Sequence, residues 1–217
     1  MPSLLCPTRL SLLQNALDDT HSGNEPISII ARTLPESLEG AINVMIEEGP
    51  QLLLAKGTPE SLHSLLSPYI PRNAQPLLED ALKLVHIYQK ASGLNAVRFR
   101  LEQINTDSCR KFHTDHVALR LLCTYYGRGT QWLPTAARQT DLSQLAHNTP
   151  TEVHHIPTGH IALLQGNRWP RTNGQGVVHR SPPVSHLPMP ERLRLLLTVD
   201  EPTACGMADE HNPTIRP

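Results

Sequence analysis

A histidine and a carboxylate one residue apart, His113-Thr114-Asp115, and a distant histidine, His179, are the residues whose types and spacing best suit chemistry. In an extended strand alternate side chains share a face, so His113 and Asp115 point the same way from one rigid element. A third ligand on a second strand, His179, completes a two-histidine, one-carboxylate set. Such a set leaves positions open on a ferrous ion for oxygen and a chelating co-substrate. Two other readings use the same residues. Zinc takes these donors nearly as well, and a buried histidine hydrogen-bonded to a buried aspartate needs no metal at all.

Near the end of the chain, a strand expected over 192–200 puts Arg192, Arg194, Leu196 and Thr198 on one face and Leu193, Leu195, Leu197 and Val199 on the other. A guanidinium held inside a barrel pairs naturally with a carboxylate in a two-pronged contact. Arg192 and Arg194 follow His179 by thirteen and fifteen residues, a placement that suits a dicarboxylate bound at the metal. Eight of the twelve histidines fall between His113 and His186. His116, His154, His155 and His160 read more simply as surface or hydrogen-bonding residues, as do His63 and His86 on helices. Cys109 and Cys123 are expected as reduced thiols in or near the core, and Cys123 shares the parity of His113 along the strand. Arg120 and Arg180 fall on the opposite parity and receive no role.

The elements that must position these residues divide by period. Residue 27–31 is a β-branched strand, and Thr33-Leu34-Pro35-Glu36 has the pattern of a capping box. Leu38, Ala41, Ile42, Met45 and Ile46 then make one apolar helical stripe that Gly49-Pro50 ends. Further helices are expected from Thr58-Pro59 to about Pro68, and over 76–91 with Gly93 as C-terminal cap. A short helix is expected at 8–19. Beyond Gly93 the period changes to two: strands are expected over 97–102, 117–126, 161–166, 177–180 and 192–200, with a polar connection over 138–150. Several short strands divided by turn signals suggest an all-β barrel or sandwich with helices in front. The expected division is a mainly helical portion over 1–93, a β-barrel core over 94–200 and a loose tail over 201–217, all in one structural unit.

Composition fits this. With 217 residues, 39% hydrophobic and 18% charged, the chain can bury a sizeable core. A net charge of -1 gives no electrostatic reason to expect nucleic acid or an anionic membrane as partner. Four scattered cysteines form no C-x-x-C pair, and Pro2 and Pro7 interrupt the apolar start without a basic segment before it, so a cytoplasmic protein with reduced thiols is expected. No apolar run reaches membrane-spanning length. No nucleotide-binding glycine motif, nucleophile elbow or H-E-x-x-H is present.

Six runs carry a resemblance: Cys109-Arg110-Lys111-Phe112-His113-Thr114-Asp115, Leu119-Arg120-Leu121-Leu122-Cys123-Thr124-Tyr125, Gly129-Thr130-Gln131-Trp132-Leu133-Pro134, Ala162-Leu163-Leu164-Gln165-Gly166, Val178-His179-Arg180-Ser181-Pro182-Pro183 and Arg194-Leu195-Leu196-Leu197-Thr198. They resemble the bacterial family DUF1826, over about 95–200. The order of strand, His-x-Asp, aliphatic strand, second His and Arg-bearing strand is also similar to the double-stranded β-helix of Fe(II)/2-oxoglutarate-dependent oxygenases. That similarity implies an α+β fold, a cupin-like or jelly-roll barrel with the helical portion packed on it. It implies His113, Asp115 and His179 as iron ligands, Arg194 or Arg192 as the partner of the far carboxylate of 2-oxoglutarate, and a dioxygenase acting on an undefined, small-molecule or other substrate. The other class of function is a non-catalytic cupin-like protein holding zinc or another divalent ion. The helical stripes fit either a cover over the barrel mouth or a homodimer face.

Overall fold

In chain order the elements are β1 (Ile27–Ile30), α1 (Glu36–Glu48), β2 (Leu52–Gly57), α2 (Pro59–Leu66), α3 (Gln75–Ser92), β3 (Val97–Ile104), β4 (Leu119–Tyr126), β5 (Gln131–Trp132), β6 (His154–His155), β7 (Ile161–Gln165), β8 (His179–Arg180), β9 (Arg194–Asp200) and β10 (Thr214–Arg216). The structure is a computed structural model that describes residues 25–135, 152–204 and 213–217. The expected helix at 8–19, the connection over 138–150, and Cys6 and Cys205 lie outside these residues.

The strands form two antiparallel layers. The larger has the order β1-β7-β4-β9-β3-β2-β10 and the smaller β6-β5-β8. An isolated bridge between His113 and His179 adds the His-x-Asp segment beside β8, as a fourth row of the smaller layer. From β3 onward the chain passes between layers: β3 large, His113 small, β4 large, β5 and β6 small, β7 large, β8 small, β9 large. Two facing sheets wound in this way are a double-stranded β-helix. With helices packed outside the larger layer, the class is α+β.

Strand parity divides the interior into two cores. Phe99, Leu101, Leu121, Leu163, Leu195, Leu197 and Val199 pack against Leu38, Met45, Leu77, Leu84, Val85 and Tyr88 of the helices. The alternate residues Leu122, Ala162 and Leu164 face the smaller layer and meet Trp132, Ile156 and Val177. Period two makes this sorting automatic, since each strand buries one set on each side. Tyr88 donates to the Leu119 carbonyl at 3.0 Å and so ties α3 to the start of β4.

Local signals behave unevenly. Thr58 caps α2 by accepting from the Ser61 amide at 3.4 Å, with Pro59 in the first turn. Gly93 closes α3 in the left-handed region at φ 73°. The expected capping box does not form: α1 starts at Glu36 with Pro35 at the N-cap and no side-chain cap bond. The larger sheet also draws on all three expected segments of the chain. β2, not anticipated between two helices, pairs with β3, and β10 from the tail expected to be loose pairs with β2. Among the described residues no helix is long and apolar enough to cross a membrane.

Candidate metal centre

His113 and His179 face each other across one bridge, with ring centroids 4.6 Å apart. Backbone bonds run both ways, from the His113 amide to the His179 carbonyl at 3.0 Å and back at 2.9 Å. Each imidazole is oriented by its own strand. Nδ1 of His113 lies 2.9 Å from the Lys111 carbonyl, and Nδ1 of His179 lies 3.1 Å from the Val177 carbonyl. A carbonyl only accepts, so Nδ1 donates in both rings and Nε2 keeps its lone pair free for a ligand contact.

Both Nε2 atoms turn to Asp115, at 3.5 Å from His113 and 3.1 Å from His179. Ligand atoms of the three residues lie within 4.8 Å of one another. Burial opposes ionisation of Asp115, but the facing His113 and His179 rings, which a shared proton would bind to it, and the charge of Arg120 outweigh it. Its carboxyl is held well below the usual carboxylate range. The Asp115 hydrogen bond raises the His113 pKa despite burial. Oδ2 of Asp115 is buried and accepts no hydrogen bond of regular geometry, although Arg120 stands 2.6 Å away.

The backbone behind Asp115 is closely packed. Its carbonyl accepts from the Asn167 amide at 3.0 Å. A side chain on Gly166 would come within 2.1 Å of the Val117 carbonyl, and one on Gly176 within 2.4 Å of the Gly166 backbone. Three chain segments meet there with no room for a Cβ.

Arg194 opens β9 on the barrel-facing parity and is 1% exposed. Its Nε donates to the Arg128 carbonyl at 2.6 Å, and its terminal nitrogens to Ser181 Oγ at 3.1 Å and Thr130 Oγ1 at 3.3 Å. No carboxylate pairs with it among the described residues, and burial pulls its pKa down to about 10. Ser181 and Thr130 each sit two residues from the row that holds His179 and Trp132. Arg192 precedes the strand, and its Nε donates to the Leu187 carbonyl within the connection leading to β9.

Other expectations are redistributed. Cys123 does not neighbour the triad: it lies in the helix-facing core, contacted by Arg32 Nη2 at 3.3 Å, and burial pushes its thiol up to about 11. Cys109 is exposed rather than near-core. His116 is exposed and meets Asn167 at 3.0 Å. His154 lies against Trp132 with the ring planes tilted by 48° and centroids 4.8 Å apart, while His155 is exposed. His160 lines a cavity on the helical side with Arg32, Glu39 and Asn43. Arg180 lies over the Phe112 ring at 4.2 Å and donates to Gln131.

Sequence reasoning missed a charged row beside the triad. Arg98 and Arg120 flank Asp200 from the two neighbouring strands. Asp200 accepts from Arg98 at 2.8 Å and from two nitrogens of Arg120 at 2.6 and 3.1 Å. Arg120 then extends to Asp115.

Fold and site together define a double-stranded β-helix with a clustered pair of histidines and one carboxylate. The chain belongs to the family described as protein of unknown function DUF1826, whose profile matches residues 14–200. No curated protein matches it. Among solved structures it is similar to a Pseudomonas putida prolyl-4-hydroxylase, at 14% identity over 88% of this chain and 98% of that one, with a TM-score of 0.48. A Trichoplax adhaerens prolyl hydroxylase aligns at 10% identity over 89% and 90%, TM-score 0.47. The Fe(II)/α-ketoglutarate-dependent dioxygenase TqaL aligns at 13% identity over 98% of each chain, TM-score 0.48.

Proposed function

We propose that the protein is an iron(II)- and 2-oxoglutarate-dependent oxygenase, with His113, Asp115 and His179 as metal ligands and Arg194 as the partner of the co-substrate's far carboxylate. The donor set fits the metal. Two imidazole lone pairs and one carboxylate converge, and the ordering of both rings by backbone carbonyls is the usual support of a metal-bound histidine. Iron with a 2-oxo acid supplies oxygen activation coupled to decarboxylation of that acid, which oxidises a substrate.

The observation that carries the reading beyond metal binding is Arg194. A guanidinium buried among neutral oxygens is costly unless an anion joins it. The dicarboxylate would supply that anion, and its fork geometry suits two-point recognition. Arg194 itself is almost completely buried, which strengthens such a contact. Arg192, tied to its own connection, is the weaker candidate.

Anaerobic titration with Fe(II) and 2-oxoglutarate tests this. A charge-transfer band that needs both additions, and disappears in His179→Ala, supports an oxygenase. Tightly held zinc with no band in any combination supports a metal-binding barrel instead.

A further inference from the structure

We propose that Arg120 is a positioning residue for the Asp115 carboxylate, and that Asp200 clamps it in that orientation. The inference rests on reading Asp115 as a metal ligand. Arg120 spends all three guanidinium nitrogens on two carboxylates: Nη1 stands 2.6 Å from Asp115, while Nε and Nη2 take the two oxygens of Asp200 at 2.6 and 3.1 Å. Asp200 is fully buried and is itself held from the other side by Arg98 at 2.8 Å. The planar fork therefore cannot turn without breaking its bidentate contact. The burial that would lower the Arg120 pKa is outweighed by the charges of Asp200 and Asp115, which raise it.

The consequence lies in how Asp115 meets a cation. A carboxylate with one oxygen engaged by a fixed guanidinium presents a metal with the other, and so occupies one coordination position. Released from Arg120, the same carboxylate is free to rotate, so binding a metal must also order it, and it can settle on the metal through both oxygens, closing a position that a chelating acid needs. Charge alone predicts the reverse. A nearby guanidinium repels a divalent cation, so if Arg120 acted only as a charge its neutral variant would bind metal more tightly.

The experiment uses Co(II) as probe on the full-length, metal-stripped chain, under nitrogen. Affinity is read by calorimetry and coordination by the visible d–d bands, whose intensity rises as coordination number falls. Arg120→Gln is expected to bind Co(II) about 10–100-fold more weakly, the range typical when a group that orients a ligand is lost, with changed band intensity. Arg120→Lys is expected to recover little, because an ammonium is a point charge that cannot reproduce the fork. Asp200→Asn should weaken binding less, since Arg120 remains but is free to turn. Equal or tighter binding in Arg120→Gln with unchanged bands overturns the proposal. Where that variant does not fold by circular dichroism, Asp200→Asn decides: weakened binding with altered bands supports the clamp, and wild-type behaviour overturns it. Asp115→Ala separates the two levels. If it binds Co(II) as wild type does, the ligand reading itself fails; if it loses Co(II) while Arg120→Gln does not, only the positioning role fails.

Discussion

Removing Arg194 should leave the ligand-free protein standing and abolish its response to 2-oxoglutarate. The side chain is 1% exposed, and truncating a buried residue of that size ordinarily costs several kcal/mol. Here the charge itself is a burden. Burial pulls the guanidinium down to about 10, a displacement worth about 3 kcal/mol. A lowered pKa on a base means that this penalty is present in full at every pH below about 10, and fades only as pH rises through it. Arg194→Met removes the penalty but strands the Arg128 carbonyl, at about 1–3 kcal/mol, while the Ser181 and Thr130 hydroxyls can turn to other partners. The net change is expected within about 2 kcal/mol of zero. Wild type at a hundredfold excess of 2-oxoglutarate over its Kd, with metal present, should gain about 2.7 kcal/mol. For a chain of this size that is about 5–10 °C in Tm, and Arg194→Met should gain none. Thermal melts with and without the acid supply both numbers. A variant that unfolds without ligand, or that gains as much from the acid as wild type, refutes the reasoning.

Three further expectations concern other parts of the fold. Tyr125→Phe removes a part-buried 2.7 Å hydrogen bond to the Asp80 carboxylate and should cost about 1.5–3 kcal/mol in urea unfolding; an unchanged midpoint contradicts it. Trp132 is in register with His179, so in Trp169→Phe, where it is the one tryptophan left, Co(II) should quench its fluorescence, and His179→Ala should lose the effect. Asp107 accepts from the Ser185 hydroxyl and the Val184 and Ser185 amides, which hold its carboxyl down to about 2. A depressed carboxylate contributes stability above its ordinary pKa and loses it as pH falls toward the folded value. The amide shifts of Val184 and Ser185 should therefore titrate near 2 and cease to do so in Asp107→Asn, and a midpoint near 4 would be inconsistent with the bonds described.

Much of the candidate site's clustering was legible because its signals are local. His113 and Asp115 lie on one extended segment, and Arg194 keeps the parity of Leu196 and Thr198 along a real strand. Arg120 and Cys123 were misplaced for one reason: parity was counted from His113 through residues 116–118, where the chain bends before β4 begins. Counting by twos does not survive a turn. Asp200 showed nothing in sequence because its partners come from two other strands, so its meaning depends on sheet order. β2 escaped notice because Leu52, Leu53, Leu54 and Ala55 are buried without alternation and lack β-branched residues, a pattern that a helix shares. β10 is three residues long and is defined by its pairing with β2.

The division of each central strand into two sets of neighbours bears on how such a sequence can drift. On β4 and β9 the odd positions answer to the helices and the even positions to the barrel. A substitution at Leu121 or Leu197 is judged by α1 and α3, one at Leu122 or Thr198 by whatever the barrel holds. The helical layer can thus be recut for a new surface without rewriting the chamber, and the chamber retuned without reopening the helical core. The two ledgers touch where Tyr88 reaches the Leu119 carbonyl, one residue before Arg120. There a change made for packing would be felt in the chemistry.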